Sequence, residues 1–147
     1  MSAALHHEEA TRVIGPLDAN GFTHYWPKVE KYLIDALQND GFKLQPQQLA
    51  GQITEGLMGL YVVLDMAHGE VLGALACEVA EYPNENVFVI AYCGGKDLYR
   101  WASLIGEMER EAIRLDCRTV RIPGRKGWGK VFPDYRETYR VYERKLV

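Results

Sequence analysis

Residues that could do chemistry gather in three places in this 147-residue chain. The first is Cys93-Gly94-Gly95-Lys96-Asp97, between an apolar run from Val87 to Tyr92 and an amphipathic run from Leu98 to Leu115. A strand that passes through glycines into a helix start presents unpaired N–H groups and the positive end of a dipole. That arrangement can hold an anion, above all a phosphate. An ordinary strand-to-helix turn is the other reading. The second place is the loop Gly124-Arg125-Lys126-Gly127-Trp128. Arg125 can pair with a phosphate or carboxylate, and Trp128 can stack on a flat ring or cap the core. The third is Glu78, within Ala74-Leu75-Ala76-Cys77-Glu78-Val79. A carboxyl group in apolar surroundings could have a raised pKa and serve as a base; a place at the solvated end of the strand is the other reading.

These residues need a scaffold, and the composition sets its limits. The chain is 48% hydrophobic and 25% charged, enough for one domain with a sizeable core. No apolar stretch reaches the length of a membrane span, and the first eleven residues carry no apolar signal region. Cys77, Cys93 and Cys117 lack metal spacing and read as buried thiols in a reducing cytoplasm. The net charge of −3 is unevenly spread. Residues 1–99 hold 5 basic and 13 acidic side chains, and residues 100–147 hold 12 and 7. The basic half suits an anionic ligand or partner, or is a solvated face. No duplex nucleic-acid module accompanies it.

The elements follow from hydrophobic period. Residues 1–21 are weakly patterned and read as an N-terminal extension, with Asp18-Ala-Asn-Gly21 as a turn. A single domain is expected over 22–147. Trp26 to Asn39 has the stripe of an amphipathic helix, with Pro27 in its first turn and Gly41 as a stop. A shorter helix is expected from Pro46 to about Gly56. Leu57–Asp65, Glu70–Tyr82 and Val87–Tyr92 read as strands separated by tight turns, hence an antiparallel meander. Leu98–Leu115 carries apolar residues at 98, 101, 105, 108, 112 and 115, a long helix. Cys117–Ile122 then reads as a strand parallel to Val87–Tyr92 through a right-handed crossover. Around Trp128 a short helical turn ends at Pro133. The tail, Asp134 to Val147, fits helix or strand by period, and its Tyr, Thr and Val content favours strand.

Several short motifs sit on this frame: Trp26-Pro-Lys-Val, Leu72-Gly-Ala, Glu78-Val-Ala-Glu-Tyr82-Pro83, Gly95-Lys-Asp-Leu-Tyr-Arg-Trp101, Glu109-Arg-Glu-Ala112 before Cys117, and Gly124-Arg125-Lys-Gly127-Trp128. With the α/β element order over residues 22–147, they resemble the GNAT N-acetyltransferase fold. In particular the chain resembles the small GNAT-like proteins encoded by tailed bacteriophages. The resemblance implies a mixed sheet and an acyl transfer from acetyl-CoA to an amine, in the cytoplasm of a bacterial host. It implies a donor site of Tyr92, Cys93, Gly94, Gly95, Lys96, Arg100, Arg125 and Trp128. It suggests Glu78 as the base, with Tyr92 or Tyr135 as acid; Tyr139 lies in the same region. The alternative is a silent fold that binds a host or phage protein or joins the virion, and a lesser option is another anionic small molecule in the same cleft. The oligomeric state stays open.

The donor turn departs from the family pattern, Gln/Arg-x-x-Gly-x-Gly/Ala. Here the glycines are adjacent, and no Gln or Arg precedes them at the expected offset. Asp97 is a natural helix N-cap whose charge would compete with a phosphate. Lys96 and Arg100 put two cations nearby, and Arg100 is unfavourable to the helix dipole unless an anion or Asp97 answers it.

Overall fold

A computed structural model describes residues 11–96, 102–124, 128–138 and 141–146, with the side chains of 102, 128 and 129 outside the description. The elements are β1 (Thr11–Ile14), α1 (Ala19–Asn39), α2 (Pro46–Thr54), β2 (Gly59–Asp65), β3 (Glu70–Glu81), β4 (Asn86–Gly95), a 3-10 turn (Ala102–Leu104), α3 (Ile105–Arg114), β5 (Thr119–Arg121) and α4 (Trp128–Val131). The sheet runs β1-β2-β3-β4-β5 in space. The first three pairings are antiparallel and β4–β5 is parallel, as the crossover requires.

The sheet buries both faces. On one side α1 and α2 cover Leu60, Val62, Leu64, Ala74 and Ala76 with Val29, Leu33, Leu37, Leu49 and Ile53. On the other, α3 lays Met108 and Ala112 over Tyr61, Leu75, Cys77, Phe88 and Ile90. Strands covered on both faces lose the apolar–polar alternation, which is why β2 reads as a continuous apolar run. The three cysteines are buried thiols.

Three expectations are corrected. Helix α1 begins at Ala19, not Trp26, because Asp18 is an N-cap that accepts from the Gly21 N–H at 2.8 Å. Phe22 extends the apolar stripe backward and stacks on Trp26, so Pro27 lies inside the helix. Second, the weak pattern before residue 20 hides β1, an edge strand too short for alternation to register. Third, no strand forms over residues 134–138 and 141–146. Val141, Tyr142 and Leu146 are 70%, 87% and 86% exposed, so β-prone composition finds no burial to support pairing. The expected turn at Asp97, and with it the start of the long helix at Leu98, lies outside the described residues; α3 proper covers Ile105–Arg114.

Candidate functional site

Strand β4 is where the sheet stops being regular. Its pairing with β5 joins only Val87, Phe88 and Val89 to Thr119, Val120 and Arg121. From Ile90 to Gly95 its ladder runs along β3, and the β5 ladder has ended. Between Tyr92 opposite Ala76 and Ile90 opposite Cys77, Ala91 is an extra residue. Such a bulge re-aims neighbouring side chains and bends the strand. Ala91 and Tyr92 consequently both pack with the α1 side, and Cys93 returns to the α3 side.

Tyr92 therefore stands on the α1 face beside the bulge. Its hydroxyl donates to Asp40 Oδ2 at 3.3 Å. Burial, then the charge and hydrogen bond of Asp40, then the charge of Glu78, push Tyr92 up to about 12. Glu78 is opposite Val89, two pairs along β3 from Ala76 and on the same face as Tyr92. So Glu78 and Tyr92, two of the expected catalytic residues, are brought together. The apolar enclosure expected for Glu78 is not found: the residue is exposed. Asp40 completes the group and was missed in the sequence. Its signal was there, an acid in the C-cap of α1, where the helix dipole disfavours negative charge. Tyr135 is not part of this group. Its hydroxyl donates to Glu109 Oε2 on α3 at 2.9 Å, and burial, aided by Glu109, raises its pKa.

The glycines have a different duty from the one their spacing suggests. Gly94 and Gly95 are strand residues paired with Ala74 and Gly73. A Cβ on Gly94 would lie 2.2 Å from the Tyr32 carbonyl oxygen, so Gly94 is needed for α1 to approach β4. Lys96 is ion-paired with Glu70 across the β3–β4 end. Cys93 helps line a void of about 10 Å³ with Ile90, Ile105, Ile122 and Phe132, room for a water molecule at most. Arg100 and Arg125 lie outside the described residues, as does the side chain of Trp128.

His68 is structural: its Nδ1 lies 3.0 Å from Oδ2 of Asp65, whose other oxygen accepts from the Ala67 N–H. His24 sits on exposed α1 surface beside Lys28. No described helix is long and apolar enough to cross a membrane.

A five-strand mixed sheet with a parallel fifth strand and helices on both faces has solved counterparts. A probable acetyltransferase superposes with a TM-score of 0.68 over 92% of this chain and 98% of its own, at 12% identity. The fold is that of the GNAT acetyltransferases. A GNAT family acetyltransferase from Staphylococcus aureus matches with a TM-score of 0.61 over 92% of this chain and 97% of its own, at 13% identity. An aminoglycoside acetyltransferase from an uncultured soil metagenomic sample, in complex with sisomicin, matches at 0.64 over 95% and 99%, with 12% identity. No protein-family model and no curated protein matches the sequence. At such identities the GNAT likeness is one of fold, and the chemistry rests on this chain's own residues.

Proposed function

We propose that the protein is an N-acyltransferase that moves an acetyl group from acetyl-CoA to an amine at the bulged half of β4. The observation that carries this reading is the loss of β5 pairing after Val89, beside the extra residue at Ala91. An open strand edge offers backbone N–H and C=O groups to an extended, amide-bearing chain. The pantetheine arm of coenzyme A is such a chain. Tyr92, Cys93, Gly94 and Gly95 would hold it along that edge, with Lys96, Arg100, Arg125 and Trp128 toward the phosphates and the adenine. When bound, the cofactor would supply a thioester whose C–S bond breaks as the deprotonated acceptor nitrogen forms the new C–N bond, the thiolate departing and taking up a proton as free coenzyme A thiol.

The chain's own part is acceptor binding and proton handling. Asp40 and Glu78 put two carboxylates beside Tyr92, which draws an ammonium to the bulge. Glu78, exposed and able to exchange protons with water, takes the proton the acceptor must lose. Tyr92 stays protonated at neutral pH and fixes Asp40 by its hydrogen bond. Tyr135 is held by Glu109 on the α3 side and is left out of this centre.

The phage origin, and with it a host or phage amine in a bacterial cytoplasm, rests on the sequence motifs and belongs to the same proposal. Release of free thiol from acetyl-CoA, followed with a panel of polyamines, aminoglycosides and lysine peptides, tests it. Thiol release should depend on the amine. Glu78→Gln should lower the rate roughly 10²–10⁴-fold, the scale of a lost general base, with melting unchanged. No release with any amine, together with no binding of acetyl-CoA at millimolar concentration, overturns the reading in favour of a silent, protein-binding or virion-associated GNAT fold.

A further inference from the structure

The acceptor site beside Tyr92 has a rim that the proton chemistry leaves unused. Helix α1 ends in two left-handed residues, Gly41 (φ 73°) and Phe42 (φ 52°), and the Phe42 N–H donates back to the Leu37 carbonyl at 2.9 Å. The chain turns sharply there. Lys43 stays within electrostatic reach of Asp40, the residue that accepts from Tyr92. A cation at this place works against the site. Asp40 and Glu78 attract an ammonium, and Lys43 repels one.

The chain answers that cation from its far end. Lys43 Nζ donates to Glu143 Oε1 at 3.0 Å, a contact between residues 100 apart in sequence. Its hydrogen bond to Glu143, then the charge of Glu143, then that of Asp40, raise the Lys43 pKa. Lys43 in turn holds Glu143 below the usual carboxylate range. Both side chains are exposed, so the pair adds little to stability. Burial does not seat the tail here either, since Val141, Tyr142 and Leu146 are exposed. Glu143 is the one acid in residues 141–146, followed by the bases Arg144 and Lys145. The tail thus meets Lys43 through its single negative charge.

We infer that Glu143 is a specificity-determining residue: by neutralising Lys43 it keeps the rim beside Asp40 and Tyr92 from repelling the acceptor, and so favours amines of high positive charge. The inference rests on acyl transfer at Tyr92 and adds the tail to that site.

Thiol release from acetyl-CoA, measured at low ionic strength with spermidine and with butylamine, tests it. Glu143→Gln leaves Lys43 unanswered and should raise the KM for spermidine roughly two- to fivefold, the scale of one exposed charge. Lys43→Gln should lower that KM by a similar factor. The double variant, with both charges gone, should return close to the unaltered protein, and Glu143→Asp, which keeps the charge, should do the same. The changes should fall in KM, as for altered acceptor binding. They should be smaller for butylamine, which carries a single charge, and fade at high salt. A tail that acts only by being docked predicts otherwise, because either single variant breaks the pair and the two should then behave alike. Single variants that shift KM in the same direction, or not at all, would overturn this inference and leave acyl transfer standing. No thiol release from the unaltered protein with any amine would overturn both.

Discussion

Val87–Val89 and Ile90–Gly95 are consecutive parts of one strand, yet the β5 ladder reaches only the first. Val87, Phe88 and Val89 are buried between β3 and β5 and serve stability. Beyond them, β5 has ended, Ala91 is inserted, and the side chains are Tyr92, Cys93 and two glycines. The lesson is that a strand can be structural and functional in sequence, with the change marked by a lost partner rather than by a change of polarity. A bulge and an open edge cost local stability, and a site for another chain's amides is what they leave behind.

The comparison can be broken in several ways, from large effects to small. Phe88→Ala, in the fully paired part, should destabilise by about 3–5 kcal/mol in urea unfolding, as for a buried aromatic. Gly94→Ala should cost about 1–3 kcal/mol, because the new Cβ meets backbone and not a flexible side chain. A neutral Gly94→Ala would mean that α1 is not seated on β4 as described. Glu78→Gln should change stability by less than about 0.5 kcal/mol, as at most surface sites, while thiol release collapses. A large stability loss there would make Glu78 structural.

The pH dependence is the smallest and most local effect. Tyr92 holds its proton in the folded state up to about 12, against 10.0 ordinarily. The native state then binds more protons than the unfolded one across that window, so stability falls as pH rises from 10 to about 12. Tyr61 and Tyr135 are raised in the same sense, chiefly by burial. Tyr92→Phe should therefore make the alkaline fall shallower without abolishing it. At the acid end, the Arg114 hydrogen bond, then that of Tyr61, hold Glu111 below its ordinary 4.5. That support is present above the ordinary value and fades as pH falls through the lowered one. Arg114→Gln should reduce the acid-side loss in melts taken across that range.

The fold was legible because the long periodic segments and the crossover rule leave few topologies. The parallel β4–β5 pair and the meander follow from them directly. Glu78 and Tyr92 were legible as residue types, and pairing put them on one face. What misled was local chemistry with two uses. Glycine serves an anion turn or a close backbone approach, and Tyr32 in space decides for Gly94. Asp18-Ala-Asn-Gly21 serves a turn or a helix cap, and Phe22 stacked on Trp26 decides for the cap. Asp40 reaches Tyr92 across 52 residues, a contact no local pattern encodes. The described tail residues have strand composition but form no strand, and composition alone does not supply the burial that pairing needs.

The central claim is that the open edge of β4 holds the donor. Amide hydrogen exchange with and without coenzyme A tests it most directly. Amides of Ile90–Gly95 that face the β5 side should slow markedly with ligand. Those of Val87–Val89, already paired to β5, should not change. Protection that leaves Ile90–Gly95 untouched, or no protection anywhere at saturating ligand, would contradict the account.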